Sequence, residues 1–174
     1  SGTNVRGLAP VASTPQGGGD EAATFKLYGM QYEPTQGIVS FDPAAPATTQ
    51  TEFEDGQTGV QYFRSGSVSA FDGTNAYVYT PKTNSNGELT SLKFTVYAKN
   101  GSSWTMTKEV ALSPQYTNYP NRMAYDPATG QLYGYRNGMP TNFYTINKET
   151  GAMTLVAGIN NGFFASLAID RNGD

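Results

Sequence analysis

Histidine and cysteine are both absent from this chain of 174 residues, so proton transfer and metal ligation would fall to carboxylates and tyrosines. The commonest general base and transition-metal ligand is thereby missing, and neither a thiolate site nor a disulfide framework can be built. Glu52, Glu54 and Asp55 form the densest acidic group. A glycosidase of the two-carboxylate kind needs such groups facing each other across a cleft. Strand alternation instead places Glu52 and Glu54 on one face, which is how a solvated sheet edge is built. Asp170-Arg171-Asn172-Gly173-Asp174 has the oxygen-rich opening of a calcium loop, and a hairpin turn accounts for it better. No metal and no cofactor is therefore expected. Asn100-Gly101-Ser102 matches an N-glycosylation sequon, and Asn-Gly also makes a tight turn without any such role.

The remaining chemistry is that of contact. Tyr62, Phe63 and Arg64, then Tyr116, Tyr119, Asn121 and Arg122, then Phe163 and Phe164 lie between apolar runs, as do Gln31, Tyr32, Lys82, Arg136 and Asn137. Aromatic rings beside Arg and Asn suit a glycan, peptide or protein surface. For any one ring the competing role is packing between sheets.

What positions these loops is a series of short strands. From Asn121 to Ala157 four runs follow one another: Arg122–Tyr125, Leu132–Tyr135, Phe143–Ile146 and Met153–Val156. Each is rich in Tyr, Phe, Ile or Val, and turn residues separate them, notably Asp126–Gly130 and Asn147–Gly151. That pattern predicts an antiparallel meander. A similar unit precedes it, with strands at Val68–Asp72, Ala76–Thr80, Leu92–Ala98 and Trp104–Leu112 and a longer polar loop at Pro81–Thr90. Trp104 heads a strand and belongs to the core.

Parts of the unit recur. Leu27-Tyr28-Gly29 matches Leu132-Tyr133-Gly134, and Asp42 follows Tyr28 at the spacing by which Asn147 follows Tyr133. Residues 25–55 thus supply a second, third and fourth strand, with the first strand missing. Three first strands align, Ser69-Ala70-Phe71-Asp72, Met123-Ala124-Tyr125-Asp126 and Leu167-Ala168-Ile169-Asp170. The last has no second strand after it.

A four-stranded repeat of about 40–55 residues is the size of a propeller blade. With phrases such as AYDPATGQLYG and FYTINKETGAMTLV, residues 25–174 resemble a secreted bacterial β-propeller. The resemblance implies an all-β chain of four-stranded antiparallel blades, about three blades' worth, a β-sandwich being the alternative. It also implies that the loops joining fourth to first and second to third strands share one face. That face would carry the ligand-binding residues Tyr62, Arg64, Tyr116, Tyr119, Asn121, Arg122, Arg136 and Phe163. Three blades are fewer than propellers generally have. The unmatched ends read either as a fragment of a longer chain or as halves that a head-to-tail homodimer would complete.

Residues 1–24, rich in Gly, Ala, Pro, Ser and Thr, read as a flexible tether, with ordered structure starting near Phe25. A net charge of -3 argues against nucleic acid as a partner, and no apolar run is long enough to span a membrane. The low charge and abundant Thr, Ser, Asn, Gly and Tyr suit an exported protein, extracellular or on the cell surface. The expected function is a non-catalytic binding module for a glycan, peptide or protein. The alternative is a polysaccharide-acting enzyme using carboxylates. What separates them is whether two carboxylates converge with pKa values pushed apart.

Overall fold

The computed structural model describes residues 4–12, 25–33, 37–54, 67–101, 103–113, 119–160 and 162–169. For 4–12, 25, 30–33, 46–49 and 52–54 it describes the backbone alone. Every regular element among the described residues is a β-strand, so the all-β expectation holds. The strands form three four-stranded antiparallel sheets, each made of strands consecutive in the chain. The chain divides into two compact units, residues 1–63 and 64–174.

The first unit is one sheet in the order β1 (Asn4–Ala12), β2 (Phe25–Glu33), β3 (Gly37–Asp42), β4 (Ala45–Glu54). Two expectations are corrected here. Ordered structure does not begin near Phe25, and the first strand is not missing: it comes from within the stretch read as a tether. Asn4–Ala12 reads poorly as a strand because it holds Gly7 and Pro10 and no aromatic residue. It is tolerated because β1 lies at the sheet edge, where a missing proline N–H can face away from the ladder. The pairing also slips between Arg6 and Ala9, around Gly7. In the centre of the sheet Ile38 and Val39 point to opposite faces and both are buried.

The second unit holds two sheets. One is β5 (Val68–Phe71), β6 (Asn75–Thr83), β7 (Leu89–Asn100), β8 (Ser103–Leu112). The other is β9 (Arg122–Asp126), β10 (Gln131–Arg136), β11 (Thr141–Ile146), β12 (Met153–Ile159). The polar loop expected at Pro81–Thr90 is shorter, because β6 runs on to Thr83 and β7 starts at Leu89. Pro81 fits in β6 because β5 begins at Val68, opposite Tyr79, leaving Pro81 paired only with Leu92 of β7. The expected strand around Ser166–Ile169 is not formed. Extended backbone becomes a strand only with a ladder to join, and no second strand stands beside it among the described residues.

The sequence repeat is a repeat of register. Leu27, Tyr28 and Gly29 pair with Phe41, Ser40 and Val39, as Leu132, Tyr133 and Gly134 pair with Ile146, Thr145 and Tyr144. On the other side of the second strand an Ala stands opposite a Tyr in every sheet: Ala9 and Tyr28, Ala70 and Tyr77, Ala124 and Tyr133. A small residue opposite a large one keeps the sheet face level where it must pack.

Turns are set by side chains that bind their own backbone, which is why Asp and Asn stand at strand ends. The Asp72 carboxylate accepts the Thr74 and Asn75 amides at 2.9 and 2.7 Å. Asp42 accepts the Ala44 amide and Asp126 the Ala128 amide, both at 2.8 Å. Asn147 does the same for Glu149 and Thr150.

The two sheets of the second unit share one core. Val68, Tyr77, Tyr79, Leu92, Phe94 and Val96 meet Met123, Leu132 and Ile146, with the first strands β5 and β9 side by side. The sheets also meet at the β11–β12 turn. The Tyr79 hydroxyl donates to the Gly151 carbonyl at 2.6 Å, and a Cβ at residue 151 would lie 2.5 Å from Phe94 Cγ. With φ at +68° as well, position 151 admits only glycine without strain. The outer strands differ in their edges. β8 carries Lys108 and Glu109, whereas β12 has no charged residue and exposes Leu155, Val156 and Ile159.

Candidate functional site

Of the sequence-predicted residues, Tyr119, Asn121, Arg122, Arg136 and Asn137 lie at one end of the β9–β12 sheet, where the segment holding Phe163 and Phe164 also sits. Tyr119 and Asn121 lead into β9, Arg122 opens it, and Arg136 closes β10. β9 and β10 are antiparallel, with Arg122 opposite Tyr135, so the start of one strand meets the end of the other. Tyr62, Arg64, Tyr116 and Phe63 lie outside the described residues. Gln31 and Tyr32 are described in backbone only, within β2. Lys82 is a strand residue paired with Ser91 rather than part of a loop.

Hydrogen bonds tie this end together. The Asn121 amide donates to the Tyr135 carbonyl at 2.7 Å, while its side-chain oxygen accepts the Asn137 amide at 2.7 Å. The Arg136 guanidinium lies 5.6 Å from the centre of the Tyr119 ring and donates to the Tyr119 carbonyl at 3.1 Å. Such stacking holds a guanidinium in place while leaving most of its five donors for other acceptors. Arg122 is exposed and donates to the Asn121 carbonyl at 2.6 Å. Gly134 lets the segment come close: a Cβ there would lie 2.9 Å from Pro120 Cβ.

Residues 162–165 approach the sheet at this end. Phe164 is fixed from both sides of its backbone. Its amide donates to Asn137 Oδ1 at 3.0 Å, and its carbonyl accepts from Asn137 Nδ2 at 2.9 Å and from the Tyr135 hydroxyl at 2.6 Å. Its ring stands edge-on to Tyr135 and Phe143, with centroids 6.0 and 5.6 Å away. Thr141 donates to the Gly162 carbonyl. The neighbouring Phe163 is 69% exposed and Met139 79% exposed, so this end presents apolar surface beside Arg122 and Arg136. Burial raises the pKa of the Tyr135 phenol, against a smaller opposing effect of the Arg122 charge.

Sequence reasoning named Asn137 and Phe164 but missed Tyr135 and Phe143, which line the place where Phe164 sits. A signal existed. Tyr135 paired with Phe143 repeats Tyr79 paired with Phe94, and in each sheet the tyrosine hydroxyl donates to a main-chain carbonyl of the segment covering it.

The opposite end holds Asp72, Tyr77, Tyr125 and Asp126. Burial alone would raise the Asp72 carboxyl, but hydrogen bonds from Asn75, Tyr77 and Thr74 bring it below the ordinary carboxylate value. Burial, then the hydrogen bond to Asp72, raises the Tyr77 phenol. Those partners are the turn's own groups, so this is a turn cap. The other described carboxylates are engaged too. Glu88 accepts from Asn84, Glu109 from Lys93, and Glu149 from Lys108. No group of three or more acidic side chains converges among the described residues. Glu52, Glu54 and Asp55 have no described side chains, nor does the run Asp170–Asp174. Asn100 is exposed at the β7–β8 hairpin, where Gly101 has φ of +61°. Trp104 is buried against Phe71, ring centroids 5.5 Å apart.

No family model, no curated protein and no solved structure matches the chain.

Proposed function

We propose that this chain is a repeat protein of the β-propeller type, exported to the cell surface or beyond it. In this reading it binds a glycan, peptide or protein partner, without catalysis, through the Arg122–Arg136 end of the β9–β12 sheet. The observation that carries the binding role is the convergence there of Tyr119, Asn121, Arg122 and Arg136 with the exposed Phe163 and Met139. Apolar and aromatic surface beside partly free guanidinium donors is the composition of recognition surfaces.

Support for the propeller comes from the topology. Each sheet is a meander of consecutive strands, whereas Greek-key sandwiches exchange strands between sheets. In the second unit the two sheets pack with their first strands adjacent, as neighbouring blades do. The carboxylate enzyme gains no comparable support: the described carboxylates serve turns and ion pairs, and the one shifted by its surroundings in a partly buried site, Asp72, is shifted downward.

The test is a glycan array and a peptide array probed with the labelled chain, its Arg122→Ala variant and its Phe163→Ala variant. Both side chains are exposed, and such substitutions usually change stability by no more than about 0.5 kcal/mol. The expected result is binding to one ligand class that both variants weaken at unchanged melting temperature. Silence on both arrays, or binding indifferent to both substitutions, refutes the assignment.

A further inference from the structure

We infer that Tyr135, Asn137 and Phe143 form a binding site for an extended peptide carrying an aromatic side chain, and that the chain's own Phe164 is its resident occupant. The inference rests on the reading of this end as a binding surface and specifies what part of it recognises.

Two independent observations lead there. The first is how Phe164 is held. One amide side chain, that of Asn137, takes both the N–H and the C=O of a single residue, at 3.0 and 2.9 Å. Those two bonds read extended backbone in general and depend on no particular side chain. Selectivity comes from the rings: Tyr135 and Phe143 receive an aromatic side chain on its edges, the favoured geometry for such pairs. The Tyr135 hydroxyl adds a third bond to the same carbonyl.

The second observation is the same construction in the preceding sheet. Tyr79 and Phe94 occupy equivalent register positions, with ring centroids 5.0 Å apart. There the covering element is the Gly151 turn, and Phe94 is fully buried. On Tyr135 and Phe143 the cover is thinner. Phe143 is only partly buried, Phe164 is 37% exposed and Phe163 69%. A tyrosine–phenylalanine pair that takes up a main-chain carbonyl is thus built twice, sealed once and only stoppered the second time. The occupant that completes it is a peptide segment, since main-chain groups and an aromatic ring are what the site engages.

The experiment supplies the segment in trans. A fluorescein-labelled peptide of residues 161–166, Asn-Gly-Phe-Phe-Ala-Ser, is titrated by anisotropy against the full chain and its Phe164→Ala variant. The variant, with its site emptied of the ring, should bind at least about tenfold more tightly than the unaltered chain. Adding Asn137→Ala to it removes two hydrogen bonds and should weaken binding by about tenfold or more. The same peptide with Ala in place of its second Phe should not bind. Equal affinity for both chains, or indifference to Asn137→Ala, overturns the inference. Should Phe164→Ala fail to fold, hydrogen exchange on the unaltered chain decides. Saturating peptide should strip protection from the Phe164 amide, and undiminished protection overturns the inference. Because no foreign ligand is needed, this outcome is independent of the arrays: they can fail while the site is real, and the reverse.

Discussion

Replacing Gly151 by alanine separates backbone strain from packing between the two sheets of the second unit. Alanine at φ of +68° costs about 1–2 kcal/mol wherever it occurs, because Cβ crowds the following carbonyl. At this position the new Cβ would also lie 2.5 Å from Phe94 Cγ, 2.6 Å from its Cβ and 2.9 Å from Cδ1. Phe94 is fully buried in the shared core and has nowhere to go, so overpacking adds about 1–3 kcal/mol. The control is Gly101→Ala, with φ of +61° and no atom within 4 Å of the added carbon. Urea denaturation followed by circular dichroism should therefore show Gly101→Ala losing about 1–2 kcal/mol and Gly151→Ala about 2–5 kcal/mol. For a domain of ordinary stability, about 5–15 kcal/mol, the larger loss is a substantial fraction. Equal losses in the two variants would refute the packing of Phe94 on the β11–β12 turn, and with it this part of the shared core.

Tyr79→Phe should cost about 1–3 kcal/mol in the same assay, since it leaves the buried Gly151 carbonyl without its donor; a neutral substitution would mean that the bond is not formed in solution. The pH dependence follows from two groups. Asp72 titrates below the ordinary aspartate value when folded, so its contribution is present above about pH 4 and fades as pH falls through the folded value. Tyr77 is shifted upward, so its contribution is complete below about pH 10 and is lost as pH rises further. Asp72→Asn should flatten the acid limb of a stability–pH profile, and an unchanged limb would show that Asp72 does not contribute to it. Far-UV circular dichroism should show a β-sheet spectrum, and strong helical minima would contradict the fold.

The strands of the second unit were legible because Tyr, Phe, Ile and Val runs alternate with Asp/Asn-capped turns, and both signals are local. The register match between the β2–β3 and β10–β11 pairs was legible from Leu-Tyr-Gly and its spacing to Asp42 or Asn147 alone. β1 was not legible. Gly7 and Pro10 disfavour a strand by propensity, and what overrides them is a partner, β2, whose pairing propensity does not report. The opposite error at Ser166–Ile169 has the same cause: a good strand phrase without a ladder stays unpaired. At the candidate site, the loop residues were readable as Arg, Asn and Tyr between strands. The place beneath Phe164 was not, because Tyr135 and Phe143 look like ordinary core positions until the sheet register sets them side by side.

That every ladder among the described residues joins strands adjacent in the chain bears on how fast the chain can fold. Such sheets close small loops, and proteins dominated by local contacts fold faster than those that must first bring distant segments together. β9 and β10 need only the four residues of the Pro127–Gly130 turn to meet. β1 and β2 must close the twelve residues between Ala12 and Phe25. Tripling a loop adds about 1 kcal/mol of closure entropy, and β1 offers little aromatic surface in return. The hairpins would zip first and β1 would arrive last, so slowed folding would follow from changes at the Asp72, Asp126 and Asn147 turns, while changes in Asn4–Ala12 would chiefly hasten unfolding.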